Sequence, residues 1–276
     1  MAMPVLEDAP KRLPQRRGMY VLPSLFTAGN IAAGYYALTE SIRGVGGDPR
    51  AFDHAALAIG FAVMFDGLDG RVARMTNTSS DFGKEFDSLA DVITFGVAPS
   101  LLAYLWGVHA VLPSAYPVVD DRLHGLGIVI CFLFLICGAC RLARFNISVN
   151  PQPRNPGRPG RKYFVGMPIP AGAGVIAAVV HFEQGSPIHD LWLSAVWLAL
   201  LAFTGFLMVS SWRFWSGKEM NLAEKQPVRG VLLLVVALAL VIVFSRYALI
   251  IIAMVYLLSG VLARLAYSWG RRNASN

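Results

Sequence analysis

Long apolar segments alternate with short polar, basic or Gly- and Pro-containing stretches along most of the chain. A helix needs about 20 mainly apolar residues to cross a hydrocarbon core of about 30 Å. The expected fold is therefore an all-α polytopic membrane helical bundle. Its predicted spans number about eight, at approximately 20–42, 53–75, 88–112, 124–147, 163–183, 190–210, 228–245 and 247–268.

Composition and charge agree with a membrane protein and give it an orientation. Hydrophobic residues make up 55% of the chain and charged residues 15%. With the N-terminus inside, all but four of the 24 Lys and Arg residues fall on cytoplasmic segments or the adjoining helix ends. The exceptions are Arg43, Arg50, Arg122 and Arg246. Because positive charge favours the cytoplasmic side, both termini are predicted to be cytoplasmic.

This orientation divides the chain into three parts. Residues 1–19 are predicted to be a basic cytoplasmic tail, residues 20–268 a membrane domain, and residues 269–276 a second cytoplasmic tail. The basic residues that give the chain its net charge of +7 are then expected to lie near anionic membrane lipid. The predicted spans leave no soluble domain that could carry a nucleic-acid-binding surface, so nucleic acid is not an expected partner.

Four carboxylates interrupt the apolar pattern where the second span ends and the third begins. Asp66 and Asp69 are three residues apart, and Asp87 and Asp91 are four apart, so each pair shares one helical face. A charge at bilayer depth costs at least about 2.5 kcal/mol, so such clusters are tolerated only around a cation or a polar cavity. Two helix ends can therefore converge on one hard, oxygen-ligated metal ion such as Mg²⁺ or Mn²⁺.

The same stretch carries a longer motif. From Asp66 to Asp91 the chain reads D-x-x-D-G-x-x-A-R, eight further residues, then G-x-x-x-D-x-x-x-D. At every fixed position this resembles the signature of the CDP-alcohol phosphotransferases. Segments at 23–30, 87–99, 141–146 and 166–170 are similar to the membrane-embedded phosphatidylserine synthases of that family.

The resemblance implies an activity and its participants. The expected reaction transfers the phosphatidyl group of CDP-diacylglycerol to the hydroxyl of L-serine and releases CMP. A divalent metal, Mg or Mn with Ca as a further option, is the implied cofactor, and a homodimer is the implied assembly. Hydropathy puts Asp66 roughly 12 Å inside the cytoplasmic end of its span. The expected site is therefore a cavity open to the cytoplasm. The expected location is the inner membrane of a bacterial cell.

The resemblance also assigns roles to residues. Asp66, Asp69 and Asp87 are the implied metal ligands, and Asp91 is the implied base, also able to touch a metal. The residues expected to contact CDP-diacylglycerol are Thr27, Asn30, Gly70, Ala73, Arg74 and Gly83. Those expected to bind serine are Arg141, Arg144 and Asn146.

Simpler explanations remain open for several of these side chains. Arg74, Arg141 and Arg144 stand at predicted cytoplasmic helix ends, where basic residues are common in any case. Thr27 can instead bond to the backbone of its own helix.

Two rival functions also remain open. One is the same transfer to a phosphorylated alcohol, such as glycerol 3-phosphate or inositol phosphate, which would favour additional basic residues near the cavity. The other is a cation transporter that uses the acidic cluster as its ion site. A phosphohistidine route is disfavoured, because no His is followed by Lys two positions on. Direct attack by the alcohol is predicted.

Overall fold

The protein is described by a computed structural model that covers residues 21–76, 81–113, 117–148, 153, 163–216, 239 and 241–274. Side chains are described within these ranges except at residues 21–24, 49, 68–76, 81 and 270–274. The predicted tail at 1–19 lies outside the described residues. The motif residues Asp69, Gly70, Ala73 and Arg74 are described only as backbone.

The described chain is mostly helical. Its helices are α1 (Val21–Val45), α2 (Pro49–Thr76), α3 (Asp81–Asp91), α4 (Ala98–Gly107), α5 (Pro117–Ile147), α6 (Ile169–Phe182), α7 (Leu191–Val209) and α8 (Ser245–Ala274). A π-helical turn, Val92–Val97, joins α3 to α4 without a break. Two short strands, β1 (Tyr163–Val165) and β2 (Arg213–Trp215), pair antiparallel with Phe164 opposite Phe214.

Four described helical segments are long and apolar enough to cross a membrane. They are Phe82–Gly107, Pro117–Ile147, Leu191–Val209 and Ser245–Trp269, and Ile169–Phe182 is a shorter apolar helix. The first two predicted spans are helical as α1 and α2. The predicted span at 228–245 lies mostly outside the described residues, so the count of eight stays a prediction.

The structure differs from the sequence prediction at 163–183, expected to be one continuous span. The segment begins as strand β1, and helix α6 starts only at Ile169 and has 14 residues. Gly166 takes a positive φ of 74°, and a Cβ there would lie 2.5 Å from the carbonyl oxygen of Met208. Pro168 then caps α6, so the backbone turns sharply before the helix begins.

The helices pack around one apolar core. Helix α2 lies between α1 and α6, and α5 packs against α7. The core is filled by large side chains from five elements, including Phe95, Trp106, Phe134, Ile169 and Met208. The C-terminal part of α2, the end of α3 and the C-terminal part of α5 meet at one end of this bundle, where the acidic motif lies.

Candidate active site

Three of the four motif carboxylates meet at the junction of α2 and α3. One carboxylate oxygen each from Asp66, Asp87 and Asp91 lie within 4.8 Å of one another. Asp66 and Asp87 are half-buried, and Asp91 is only 8% exposed. The expected convergence of the two helix ends is therefore observed for these three residues, whereas the side chain of Asp69 is not described.

These side chains suit a hard divalent cation. Oδ1 of Asp87 is buried and makes no hydrogen bond to the described residues. Asp66 and Asp87 are close enough to interact electrostatically, and like charges at such range repel. A cluster of carboxylate oxygens is the donor set that Mg²⁺, Mn²⁺ and Ca²⁺ prefer. The residues present therefore fit the metal that the motif implies.

The turn that follows Asp91 ties this cluster to α1. Oγ1 of Thr94, in the π-helical turn, donates a 3.0 Å hydrogen bond to the carbonyl oxygen of Asn30. The contact is tight because Gly34 has no side chain, and a Cβ there would lie 2.6 Å from Thr94 Oγ1. Single π-helical turns are frequent at functional sites, where they interrupt the regular register of a helix.

The two polar residues predicted on α1 are both buried. Thr27 is 5% exposed and Asn30 is 2% exposed. Neither side-chain atom of the Asn30 amide forms a hydrogen bond with a described residue. A buried amide without a partner costs free energy, so a ligand with donors or acceptors would be stabilised there.

Arg141 is a buried cation of the site. Its side chain is 7% exposed, and its guanidinium carbon lies 5.4 Å from the ring centre of Phe145 and 5.9 Å from that of Phe164. It interacts electrostatically with Asp66 and Asp91, and its Nε makes no hydrogen bond to the described residues. A guanidinium held in this way can offer paired donors to a carboxylate or phosphate group.

Arg144 lies one turn further along α5 and contacts backbone. Its Nη1 donates to the carbonyl oxygen of Val209 at 2.9 Å. Its Nη2 donates to the carbonyl oxygens of Val165 at 3.4 Å and Ser210 at 3.3 Å. These bonds join α5 to β1 and to the end of α7. Binding of serine by Arg144 stays a prediction.

Asn146 and Gly83 lie beside the cluster. The side-chain amide of Asn146 donates a 2.9 Å hydrogen bond to Oγ of Ser88, the residue that follows Asp87. This bond connects the end of α5 to α3. Gly83 lies near the start of α3 and is half-buried.

Tyr256 of α8 is a neighbour of the site that the sequence did not reveal. It interacts electrostatically with Arg141, and its Oη donates to the carbonyl oxygen of Trp215 at 3.3 Å. The ring of Phe214 packs against Tyr256 on one side and fills the space left by Gly260 on the other. No motif marks these residues, and α8 reaches this place by packing against α6 and β2.

Comparison with known proteins gives the site its context. Residues 20–184 match the family model described as CDP-alcohol phosphatidyltransferase. The chain is 36% identical over 250 residues to a CDP-diacylglycerol–serine O-phosphatidyltransferase of Helicobacter pylori, covering 88% of this chain and 91% of that protein.

Two further proteins of the same name match a shorter part of the chain. The protein from Saccharomyces cerevisiae is 33% identical over 159 residues, covering 57% of this chain and 52% of its own length. The protein from Methanocaldococcus jannaschii is 35% identical over 153 residues, which cover 55% of this chain and 59% of that protein. With the matched motif and its converging carboxylates, these findings confirm that the chain belongs to the CDP-alcohol phosphatidyltransferase family.

Proposed function

We propose that the protein transfers the phosphatidyl group of CDP-diacylglycerol to L-serine and releases CMP. The observation that carries this proposal is the meeting of Asp66, Asp87 and Asp91 beside the buried guanidinium of Arg141. The similarity to a serine-using enzyme over most of both chains supports serine as the acceptor.

Asp66, Asp69, Asp87 and Asp91 would hold the divalent metal, with Mg or Mn proposed. When bound, this metal would neutralise charge on the diphosphate and on the departing CMP. Thr27, Asn30, Gly70, Ala73, Arg74 and Gly83 are proposed to contact CDP-diacylglycerol. The buried amide of Asn30 supports this role, because it lacks a partner among the described residues.

Asp91 is proposed to act as the general base. Its carboxylate takes the proton of the serine hydroxyl as the serine oxygen bonds to the phosphorus of the phosphatidyl group. The bond from that phosphorus to the oxygen of CMP breaks in the same direct displacement. The low exposure of Asp91 supports the role, since a base shielded from water keeps its proton transfer within the site.

Arg141, Arg144 and Asn146 are proposed to form the serine pocket. Arg141 has the strongest support, because it is buried beside the carboxylates and its Nε is not bonded to any described residue. Arg144 and Asn146 lie on the following turns of α5, where their bonds to β1, α7 and α3 would hold the pocket in shape.

The proposal includes the membrane setting. We propose eight spans and a site open to the cytoplasm from the apolar pattern of the sequence, and cytoplasmic termini from its charge distribution. We place the protein in the inner membrane of a bacterial cell as a homodimer. The tails at 1–19 and 269–276 are proposed to be cytoplasmic, with helix α8 running into the second tail as far as Ala274.

One assay tests the proposed reaction. The purified protein in mixed micelles receives CDP-diacylglycerol, Mn²⁺ or Mg²⁺, and one acceptor: serine, glycerol 3-phosphate or inositol phosphate. We expect metal-dependent release of CMP, with formation of phosphatidylserine, when serine is the acceptor, and no CMP release with either of the other two acceptors. Turnover only with a phosphorylated acceptor would contradict serine as substrate. Metal flux into proteoliposomes without CMP release would indicate a transporter instead.

A further inference from the structure

An apolar cavity of about 230 Å³ lies between α2, α6 and α8 and begins beside the candidate active site. Val63 lines it, three residues before Asp66 on α2. Tyr256, which also lines it, interacts with Arg141. Every other lining side chain is apolar except His181. The cavity is therefore adjacent to the site but unsuited to a polar substrate.

The length of the cavity matches one leaflet of a bilayer. Along α6 its lining runs from Ala171 to His181, which corresponds to about 15 Å at 1.5 Å per residue. The hydrocarbon core of a membrane is about 30 Å thick, so the cavity covers about half of it. A single fatty acyl chain is about as long as half of this core, so a chain whose headgroup lies at the site can reach the far end of the cavity.

A polar network lies at the far end of the cavity. Nδ1 of His181 lies 2.6 Å from Oδ1 of Asp53, and Nε2 of His181 lies 2.8 Å from Oγ of Ser245. The network joins α6 to α2 and α8. An apolar chain that extended further would have to displace hydrogen-bonded polar groups, which is unfavourable.

The rim of the cavity contacts the surroundings of the bundle. Leu57 of α2 is 39% exposed, and Ile252 of α8 is 56% exposed, although both line the cavity. In a membrane these exposed side chains face lipid tails. A chain of the substrate can therefore enter sideways from the bilayer while its headgroup stays at the carboxylates.

We propose that this cavity holds one acyl chain of the lipid substrate and that its closed end at His181 sets the chain length the enzyme prefers. The proposal rests on the proposed function, because it takes the substrate to be CDP-diacylglycerol. It adds a site that selects among CDP-diacylglycerols, formed in part by a helix that lies beyond the residues matched by the family model.

Two glycines allow the cavity to be filled. A Cβ on Gly60 of α2 or on Gly174 of α6 would meet nothing within 4 Å, and both residues line the cavity. We expect Gly60→Leu and Gly174→Leu to occupy the space of several methylene groups. The ratio of kcat/KM for distearoyl over dilauroyl CDP-diacylglycerol should then fall by about tenfold or more, since even one methylene in an apolar pocket is worth about tenfold.

The matched control is Gly125→Leu on α5. A Cβ at Gly125 also meets nothing within 4 Å, but this residue does not line the cavity. CMP release is measured for each variant in mixed micelles with serine at equal surface fractions of the two lipids. The control should keep the wild-type ratio.

The outcomes distinguish a failure of the proposed function from a failure of the cavity assignment. A wild-type protein that releases no CMP would refute the proposed function. Active wild type with an unchanged ratio in both folded cavity variants would overturn the cavity assignment alone. If the variants do not fold, wild type is labelled with CDP-diacylglycerol carrying a diazirine at one acyl terminus. Crosslinks at Leu57 or Leu249 support the proposal, and crosslinks confined to α5 or α7 refute it.

Discussion

The guanidinium of Arg144 lies 2.9 Å from the carbonyl oxygen of Val209, the last residue of α7. The last carbonyls of a helix have no partner within that helix, and a cation there is favoured by the helix dipole. Arg144 also reaches the carbonyl oxygen of Val165 in β1. One side chain therefore joins three elements around Arg141, which lies one turn earlier on the same helix.

Arg144→Ala should lower the free energy of unfolding by about 1.5–3 kcal/mol, the usual contribution of hydrogen bonds to a charged group. Thermal unfolding in detergent measures this change. Arg122→Ala is the control, because Arg122 is an exposed residue near the other end of α5. Equal loss of stability in both variants would show that the bonds to α7 and β1 contribute little.

Arg141→Ala should raise the KM for serine about tenfold to a hundredfold more than the KM for CDP-diacylglycerol. Its buried guanidinium is the proposed partner of the serine carboxylate, and losing such a bond costs about 1.5–3 kcal/mol. Initial rates with each substrate varied in turn give both constants. If the two constants rise together, Arg141 holds the diphosphate or supports folding instead.

Asp66→Asn and Asp69→Asn should each abolish turnover at modest metal concentration, because a neutral amide is a much weaker ligand for a hard cation than a carboxylate. Calorimetry with Mn²⁺ should show weakened binding in both variants. Glu85→Gln is the control, since Glu85 is an exposed acidic residue of α3. Tight metal binding and normal turnover in the two aspartate variants would refute the ligand assignment.

Asp91→Asn distinguishes a base from a ligand. If Asp91 is the base, metal and CDP-diacylglycerol should still bind, while single-turnover CMP release slows by about 10² to 10⁴. Calorimetry measures the affinity for metal and for CDP-diacylglycerol, and rapid-quench experiments measure the rate of CMP release. Lost affinity together with full recovery of the rate at excess metal would instead make Asp91 a ligand with no role in proton transfer.

The motif was sufficient to predict that Asp66, Asp87 and Asp91 converge, because its spacing has direct geometric meaning. Residues four apart on a helix share a face, so Asp87 and Asp91 had to point together, and the apolar pattern placed them beside the end of α2. Asp66 therefore meets Asp87 and Asp91 because of the helical spacing of these residues and the short connection between α2 and α3.

Features that depend on distant parts of the chain could not be predicted in this way. The strand at Tyr163–Val165 exists because β2, 48 or more residues later, offers it a partner. Tyr256 lies near Arg141 because α8 packs against α6 and β2, and it carries no local signal. The π-helical turn after Asp91 also has no sequence signature, since its apolar residues fit an ordinary helix equally well.

The bonds of His181 to Asp53 and Ser245 have a consequence for biogenesis. Asp53 and His181 are 128 residues apart, and Ser245 follows His181 by another 64. Since synthesis runs from the N-terminus, the imidazole acquires its last partner only when α8 enters the membrane. Until then one ring nitrogen of the buried His181 lacks this bond, and a buried polar atom without a partner is unfavourable, so docking of a helix that supplies the partner is favoured. Recruitment of the final described helix is thus favoured by the same atoms that close the cavity.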